Sequence, residues 1–174
     1  MPVTPFHLGP GAAFKAALGA HFSFTVFAFS QVLIDIEPAA RMLLDAEPLH
    51  PHLHTYLGAT GVALASVWPG RPVCEWALRL WNAKLDPSQA RWLGVEPAIA
   101  RRAAWSGAFI GTYSHVALDS IMHVDVHPWM PFADGNALRG ILSIPDLHLL
   151  CIVLGIAGLA ALAARRLLRR GGAG

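Results

Sequence analysis

Residues 114–132 of the chain, SHVALDSIMHVDVHPWMPF, place titratable side chains in a largely apolar segment. The segment contains three histidines and two aspartates, although the residues around them are typical of the end of a hydrophobic helix. Charged and titratable groups are costly in apolar surroundings unless another group pairs with them. Imidazole and carboxylate groups are common ligands of zinc and similar divalent ions. The residue types therefore indicate a metal site.

The spacing of these residues supports a metal site. His115, Asp119 and His123 follow one another at intervals of four residues. On a helix the first two lie on one face about one turn apart, and the third lies near them if the helix continues that far. Helix capping or anchoring among lipid headgroups would explain His127 and His148, but neither role explains an aspartate inside an apolar helix.

His50 and His54 repeat the four-residue spacing in another part of the chain. Pro51 is compatible with a helical pair if it occupies the first turn of the helix that follows. Each pair could then hold one ion. Because further histidines and acids fall at the same ends of their predicted helices, the candidate ligands are His7, Asp35, His50, His54, His115, Asp119 and His123. Two further carboxylates, Glu37 and Asp125, are candidate general bases.

The composition is that of a membrane protein. Of the 174 residues, 55% are hydrophobic and only 14% are charged, whereas about 25% of the residues of a typical soluble protein are charged. The length suits one domain. We therefore expect residues 1–174 to form a single integral membrane domain.

Long apolar segments without strand-like alternation predict the helices. These segments are residues 22–36, 55–68, 97–122 and 147–164. The last contains no acidic or basic residue and precedes four arginines within residues 165–170. At about 1.5 Å per residue it would cover most of a hydrocarbon core about 30 Å thick.

Residues 6–18 predict a further helix, which could either continue into the next one or turn back at residues 19–21. The small residues at this point favour a helical hairpin, which brings His7 and Asp35 to the same side of the membrane. Residues 71–97 mix tryptophans with basic residues and predict a segment along the membrane interface, with a small soluble subdomain as the alternative. The sequence thus predicts an all-α, polytopic membrane bundle of about five helices.

Basic residues are distributed unequally between the two predicted sides of the membrane. Eleven of the thirteen Lys and Arg residues fall on the side of the C-terminus, and Arg41 and Arg139 fall on the other. Because cytoplasmic segments are enriched in Lys and Arg, this distribution predicts a multi-pass protein with a cytoplasmic C-terminus. The candidate ligands then lie at the non-cytoplasmic face.

Three motifs account for most of these candidate residues. They are TPFH at residues 4–7, the pair IDIEP at 34–38 and HPHLHT at 50–55, and SHVALDSIMH at 114–123. In these motifs the chain resembles the YdjM-like family of bacterial inner-membrane, metal-dependent hydrolases. The chain departs from the family pattern at two points of the second motif. The family usually has Pro-Asp-x-Asp where this chain has IDIE at residues 34–37, and it usually has two histidines five residues apart around an arginine, whereas His50 and His54 are four residues apart with no arginine between them. The resemblance implies that His54, His115 and Asp119 are ligands, and it leaves open whether His50 or His52 is another.

The resemblance and the ligand set together predict a bacterial inner-membrane hydrolase with a divalent ion, Zn²⁺ or Mn²⁺. Such an ion lowers the pKa of bound water from about 15.7 towards about 7 and polarises a phosphoryl or carbonyl oxygen. A site at the membrane surface predicts a lipid or lipid-linked phosphoester as substrate and no nucleic-acid partner. The alternatives are a metal carrier and a membrane scaffold with a structural metal, because buried His and Asp residues also line ion pathways.

Overall fold

A computed structural model describes residues 4–171 of the chain. Within this range the protein is all-helical and contains no β-strand, as the sequence predicted. The helices are α1 (Thr4–Leu18), α2 (Phe24–Ile34), α3 (Ile36–Leu43), α4 (Tyr56–Val67), α5 (Gly70–Ala83), α6 (Pro87–Leu93), α7 (Arg101–Met122) and α8 (Ile144–Gly171). Helices α5 and α6 occupy the predicted interfacial segment. Residues 172–174, the C-terminus predicted to be cytoplasmic, lie outside the described residues.

A 3-10 turn, Gly19–His21, joins α1 to α2. Gly19 has a φ of 57°, a left-handed conformation that glycine adopts at little cost. Lys15 closes the turn by donating hydrogen bonds to the carbonyl oxygens of Gly19 at 2.9 Å and Phe22 at 2.8 Å. The chain therefore reverses, and the ring of Phe14 in α1 lies 6.1 Å from that of Phe22. The structure thus contains the helical hairpin that the sequence predicted.

Helix α2 packs parallel to α7. Near one end the backbone N–H of Ser23 donates to the carbonyl of Ala103 at 3.0 Å, and further along Gln31 donates to the carbonyl of Gly111 at 3.2 Å. The two backbones approach closely because residue 107 is a glycine: a Cβ atom on Gly107 would lie 2.4 Å from the carbonyl oxygen of Ser23. This packing aligns the last turn of α2 with the second half of α7.

Helix α4 packs antiparallel to α7. His54, just before α4, lies 3.2 Å from Asp119, and one to two turns into α4 the hydroxyl of Thr60 lies 2.9 Å from that of Tyr113. An apolar cluster holds α2, α4 and α7 together by removing their side chains from water. Its buried members are Ile34, Ala59, Val62 and Val116.

Helices α1 and α8 run parallel, and their contacts follow the same order along both. The pairs are Phe6 with His148, Gly9 with Cys151, and Ala12 with Gly158. A Cβ atom on Gly9 would lie 2.1 Å from the carbonyl oxygen of Cys151, so a larger residue would force the helices apart. Small residues at such contacts are typical of packed membrane helices. The contact fixes α1 along α8 and thereby positions His7.

Helix α8 is the one helix within residues 4–171 that is long and apolar enough to cross a membrane. The apolar span covers Ile144–Leu168, and only 17% of its most apolar window is buried inside the protein. The core helix of a soluble protein would be mostly buried, whereas α8 exposes large apolar side chains such as Ile156 and Leu159. This outer surface is suited to contact with lipid.

The helix that carries the SHVALDSIMH motif ends earlier than the spacing predicted. α7 ends at Met122, and His123 has the extended backbone angles φ −102° and ψ 135°. His123 therefore does not extend the helical face that His115 and Asp119 share. The condition under which His123 would join the other two on one helix is therefore not met, because α7 ends one residue before it.

The segment before α4 also differs from the prediction. Residues 50–54 form bends and turns, and α4 begins only at Tyr56. Thr55 starts the helix by accepting a hydrogen bond from the backbone N–H of Gly58 at 2.9 Å. Pro51 is therefore not in the first helical turn, and His50 and His54 are not held together by a shared helix.

Candidate metal centre

Four buried side chains converge where α2 ends, α4 begins and α7 approaches its end. Asp35 follows the last residue of α2, His54 lies two residues before α4, and His115 and Asp119 lie one turn apart on α7. These residues are 8%, 0%, 0% and 3% exposed, respectively. We call them the inner group. Any divalent ion at this position would be held by three separate parts of the chain.

One ligand atom of each inner-group residue faces the other three. Nε2 of His54 and Nε2 of His115 lie 3.3 Å apart, and Oδ2 of Asp119 lies 3.2 and 3.3 Å from them. Oδ1 of Asp35 lies 3.6 Å from His54 Nε2 and 3.2 Å from His115 Nε2. Ligands about 2.0–2.1 Å from a tetrahedral zinc ion lie about 3.3 Å from one another. The observed distances match the edges of such a site.

Two carboxylates in this buried position need a compensating positive charge. Either protons on the imidazoles or a metal ion can provide it. If both Nε2 atoms of His54 and His115 carried protons, two N–H groups would face each other across 3.3 Å, which is unfavourable. Because all four atoms converge on one point instead of forming separate His–Asp pairs, the cluster could hold a metal ion in place of protons.

Gln31 fixes the tautomer of His115. The Gln31 side-chain NH₂ donates to the carbonyl of Gly111 at 3.2 Å, so its Oε1 faces Nδ1 of His115 at 2.5 Å. Because Oε1 can only accept a hydrogen bond, Nδ1 carries the proton, and the lone pair of Nε2 points into the inner group. Metal-ligating histidines commonly donate their second N–H to such an acceptor.

His7 approaches the inner group from α1. Its Nε2 lies 3.4 Å from Oδ1 of Asp119, the carboxylate oxygen that does not face the other ligands. Its ring meets that of His115 edge-on, with the centroids 4.5 Å apart, and the residue is only 2% exposed. This position suits either a group that orients the Asp119 carboxylate or an additional ligand.

His50, His123 and Asp125 form a second cluster, which we call the outer group. Their ligand atoms lie within 4.8 Å of one another. His50 joins the two groups, because its ring centroid lies 4.5 Å from that of His54 and 4.6 Å from that of His123. His123 and Asp125 are partly exposed. The outer group therefore opens towards the surface, and the predicted pair His50 and His54 is divided between the two groups.

Asp125 holds His50 in place. Nδ1 of His50 lies 3.0 Å from both oxygens of Asp125, and the backbone N–H groups of Leu49 and His50 donate to Oδ2 at 2.9 and 3.1 Å. Burial lowers the pKa of His50, although Asp125 acts in the opposite direction. Burial also opposes ionisation of Asp125, but the hydrogen bond from His50 keeps its pKa below the usual range. At neutral pH the pair is therefore a neutral imidazole oriented by a carboxylate.

Glu37 belongs to neither group. Its carboxylate accepts hydrogen bonds from the backbone N–H groups of His52 at 3.1 Å and Leu53 at 2.6 Å, and from the His52 ring at 2.8 Å. Burial opposes its ionisation, but these hydrogen bonds hold its pKa below the usual value. Glu37 thus fixes the loop that presents His54, whereas Asp125, the other predicted base, belongs to the outer group.

Three further histidines, His52, His127 and His148, lie outside both groups. The side chain of His52 is 77% exposed, whereas that of His50 in the outer group is 3% exposed. His127 pairs with the exposed Asp134 at 2.8 Å, and the ring of His148 stacks on Phe6. Of the two alternatives in the HPHLHT motif, the structure places His50 among the potential ligands.

The role of Gln31 at His115 was not predicted from the sequence. The available signal is a single glutamine within the apolar residues 22–36, four positions before Asp35. Residues four apart on a helix share a face, so Gln31 and Asp35 both point towards α7. A polar side chain on the packed face of an apolar helix indicates that a buried group on the neighbouring helix needs a hydrogen-bond partner, which here is Nδ1 of His115.

No protein-family model, curated protein sequence or solved structure matches this chain. The resemblance to the YdjM-like family therefore rests on the three sequence motifs alone.

Proposed function

We propose that the protein is a membrane-embedded, metal-dependent hydrolase that acts on a lipid or lipid-linked phosphoester. The observation that supports this proposal is the contact between the buried inner group and the partly exposed outer group, through the rings of His50 and His54. Adjacent ligand groups are typical of hydrolases that use two metal ions. A closed structural site would need only the four ligands of the inner group.

The residues have distinct roles in this proposal. The inner group would hold one divalent ion, Zn²⁺ or Mn²⁺, with its four ligands. A second ion in the partly exposed outer group would keep positions open for water and substrate, and would supply the Lewis-acid chemistry that polarises a phosphoryl oxygen and makes water more acidic. Gln31 orients His115, and the Asp125 carboxylate orients His50. Asp125 is also the predicted base that lies among the ligands, on the side where solvent and substrate can enter.

We propose that this hydrolase is a multi-pass protein of the bacterial inner membrane, with both ligand groups at the non-cytoplasmic face. α8 supplies one crossing helix, and the lengthwise packing of α1, α2, α4 and α7 supports further crossings. A reporter inserted at the exposed Asp134, between α7 and α8, should be non-cytoplasmic, as should a tag before His7. A reporter at the C-terminus should be cytoplasmic. If the Asp134 and C-terminal reporters lay on one side, α8 would not cross the membrane.

An apolar groove between α2 and α4 supports a lipid substrate. It has a volume of about 440 Å³, and its lining includes Leu33, Leu53, Gly61 and Val62. Volumes of about 300–1,000 Å³ are typical of small-molecule sites. Because Leu33 and Leu53 are close in sequence to Asp35 and His54, one end of the groove lies near the inner group. An acyl chain in the groove would place its phosphoester there.

Gly61→Leu tests this use of the groove. A Cβ atom on Gly61 would meet no atom within 4 Å, so the leucine should fill the groove without disturbing the fold. We expect slower hydrolysis of long-chain lipid phosphoesters, unchanged hydrolysis of short-chain soluble phosphoesters and unchanged metal content. Ala157→Leu, on the exposed face of α8, is the matched control. Equal rates with long-chain substrates in both variants would exclude the groove.

The closed geometry of the inner group favours a second candidate function, a metal carrier or membrane scaffold with a structural metal. The two candidates are separated by assaying the full chain in detergent with added Zn²⁺ or Mn²⁺ against a panel of lipid phosphoesters. Asp125→Asn should retain inner-group metal and lose turnover if the protein is a hydrolase, and a chelator should abolish turnover in the wild type. Stoichiometric metal without turnover would contradict the hydrolase.

A further inference from the structure

A basic cavity lies at the opposite end of the bundle from the two ligand groups. It has a volume of about 330 Å³ and lies where the turn between α1 and α2 meets the last part of α8. Its lining residues are Lys15, Gly19, Ala20, Leu162, Arg165 and Arg166. Half of these residues are cations, and none is acidic.

The three cations are held by neutral backbone oxygens. Lys15 donates to the carbonyls of Gly19 and Phe22, and Arg165 donates to the carbonyl of Ala16. Arg166 donates to the carbonyl of Arg91 at 3.0 Å. Carbonyl oxygens satisfy hydrogen bonds but carry no net charge. The cations are therefore positioned at the cavity without being neutralised by it.

No carboxylate pairs with these cations in the described part of the chain. Arg71 on α5 contrasts with them, because its guanidinium pairs with the carboxylate of Glu75 at 2.9 Å. Glu96 lines a neighbouring cavity that shares Lys15, but its carboxylate accepts a hydrogen bond from the backbone of Ala98. The basic cavity thus has an uncompensated positive charge that an anion would neutralise.

The position of the cavity indicates which anion it meets. Arg165 and Arg166 lie in the last turn of the apolar span Ile144–Leu168, which places them at the depth of lipid headgroups if α8 crosses the membrane. Basic pockets between helices at this depth bind the headgroups of anionic lipids. The guanidinium groups match the geometry of phosphate oxygens, while Leu162 and Ala20 provide an apolar wall.

We propose that this cavity binds the phosphate group of an anionic phospholipid. The bound lipid links the turn between α1 and α2 to the end of α8, and so stabilises the packing of α1 along α8. The site involves none of the residues of the inner or outer group. It is therefore independent of the metal chemistry and of the proposed hydrolase activity.

The test measures lipid binding to the full chain in detergent, by native mass spectrometry and by the shift in melting temperature. We expect phosphatidylglycerol to bind and stabilise the protein more than phosphatidylcholine. Arg166→Gln should weaken phosphatidylglycerol binding about fivefold, as loss of one basic contact predicts. Arg79→Gln, which removes an exposed arginine of α5 outside the cavity, should leave the binding unchanged.

Three results would overturn the proposal. Equal binding of the two lipids by the wild type would show that the cavity does not recognise a net negative charge. Equal weakening by Arg166→Gln and Arg79→Gln would show a general surface attraction instead of a site. If inorganic phosphate alone stabilised the wild type as much as phosphatidylglycerol does, the ligand would be a soluble phosphate and not a lipid.

Discussion

At the end of the bundle where α1 and α8 begin, imidazoles and carboxylates point towards one another and are buried. At the other end, Lys15, Arg165 and Arg166 donate to backbone carbonyls around a cavity and remain partly exposed. The inner group is a set of potential acceptors, with the Nε2 lone pair of His115 and two carboxylates converging. The basic cavity is lined by hydrogen-bond donors that carry positive charge. The inner group is therefore suited to a cation and the basic cavity to an anion.

The two ends also differ in how the chain builds them. The basic cavity uses a lysine four residues before a turn, and two adjacent arginines at the end of an apolar helix. Each of these two parts is local in sequence, and the packing of α1 along α8 brings them together. The inner group joins residues 35, 54, 115 and 119 of three further parts of the chain and is buried, whereas the cations of the basic cavity are at least partly exposed. Substitutions in the inner group should therefore affect ligand binding and folding together, whereas those at the basic cavity should affect lipid binding with the fold intact.

The largest effect is expected from His115→Ala. This change removes one of the four ligands of the inner group, so the protein should no longer bind stoichiometric metal. Asp119→Ala should have the same effect. Because bound metal stabilises the state that presents its ligands, a chelator should lower the melting temperature of the wild type but scarcely that of His115→Ala. Elemental analysis and thermal unfolding in detergent measure both. His148→Ala is the control, since His148 stacks on Phe6 outside the group; equal metal loss in all three variants would contradict the assignment.

Acidification should separate the two ends of the molecule. Imidazoles bind metal only when deprotonated. Burial acts to lower the pKa of His54, but its contacts with Asp119 and Asp35 outweigh burial and raise its pKa above the ordinary value of 6.5. Protons should therefore compete with metal already above pH 6.5, and metal affinity should fall steadily as the pH drops from about 8 to about 6. Lys and Arg remain protonated over this range, so phosphatidylglycerol binding should not change. Parallel loss of metal and lipid would indicate unfolding and would remove the distinction between the ends.

Residue patterns were sufficient for five of the eight helices in residues 4–171, but not for α3, α5 and α6 or for the loops. Apolar length predicted α1, α2, α4, α7 and α8, because each buries or exposes a continuous apolar face. The four-residue spacing correctly paired His115 with Asp119, which share a helix. It failed for His50 and His54, because the HPHLHT segment is fixed by distant contacts. Asp125 and Glu37 hold this segment across 75 and 15 residues of chain, respectively, and local spacing does not report such contacts.

A smaller effect is expected at Gln31, which touches the inner group only through His115. Gln31→Leu keeps the approximate side-chain volume but removes the acceptor for Nδ1–H. The His115 ring should then adopt either tautomer, and metal affinity should fall about 10–100-fold without loss of the site. Titration with a competing chelator measures this change. Ser30→Ala is the control, because the Ser30 hydroxyl donates only to the carbonyl of Phe27 on its own helix; equal weakening would show a general packing effect.

The smallest effect is expected at Glu37, which the sequence identified as a potential base and the structure places against the HPHLHT loop. Glu37→Gln weakens the hydrogen bonds to His52 and Leu53, and should reduce the free energy of unfolding by about 1–2 kcal/mol. Metal should still bind, and any turnover should fall only slightly, because the inner group is intact. Glu47→Gln, at an exposed position nearby, should not change stability. A loss of turnover in Glu37→Gln as complete as that in Asp125→Asn, with unchanged stability, would instead return Glu37 to the role of base.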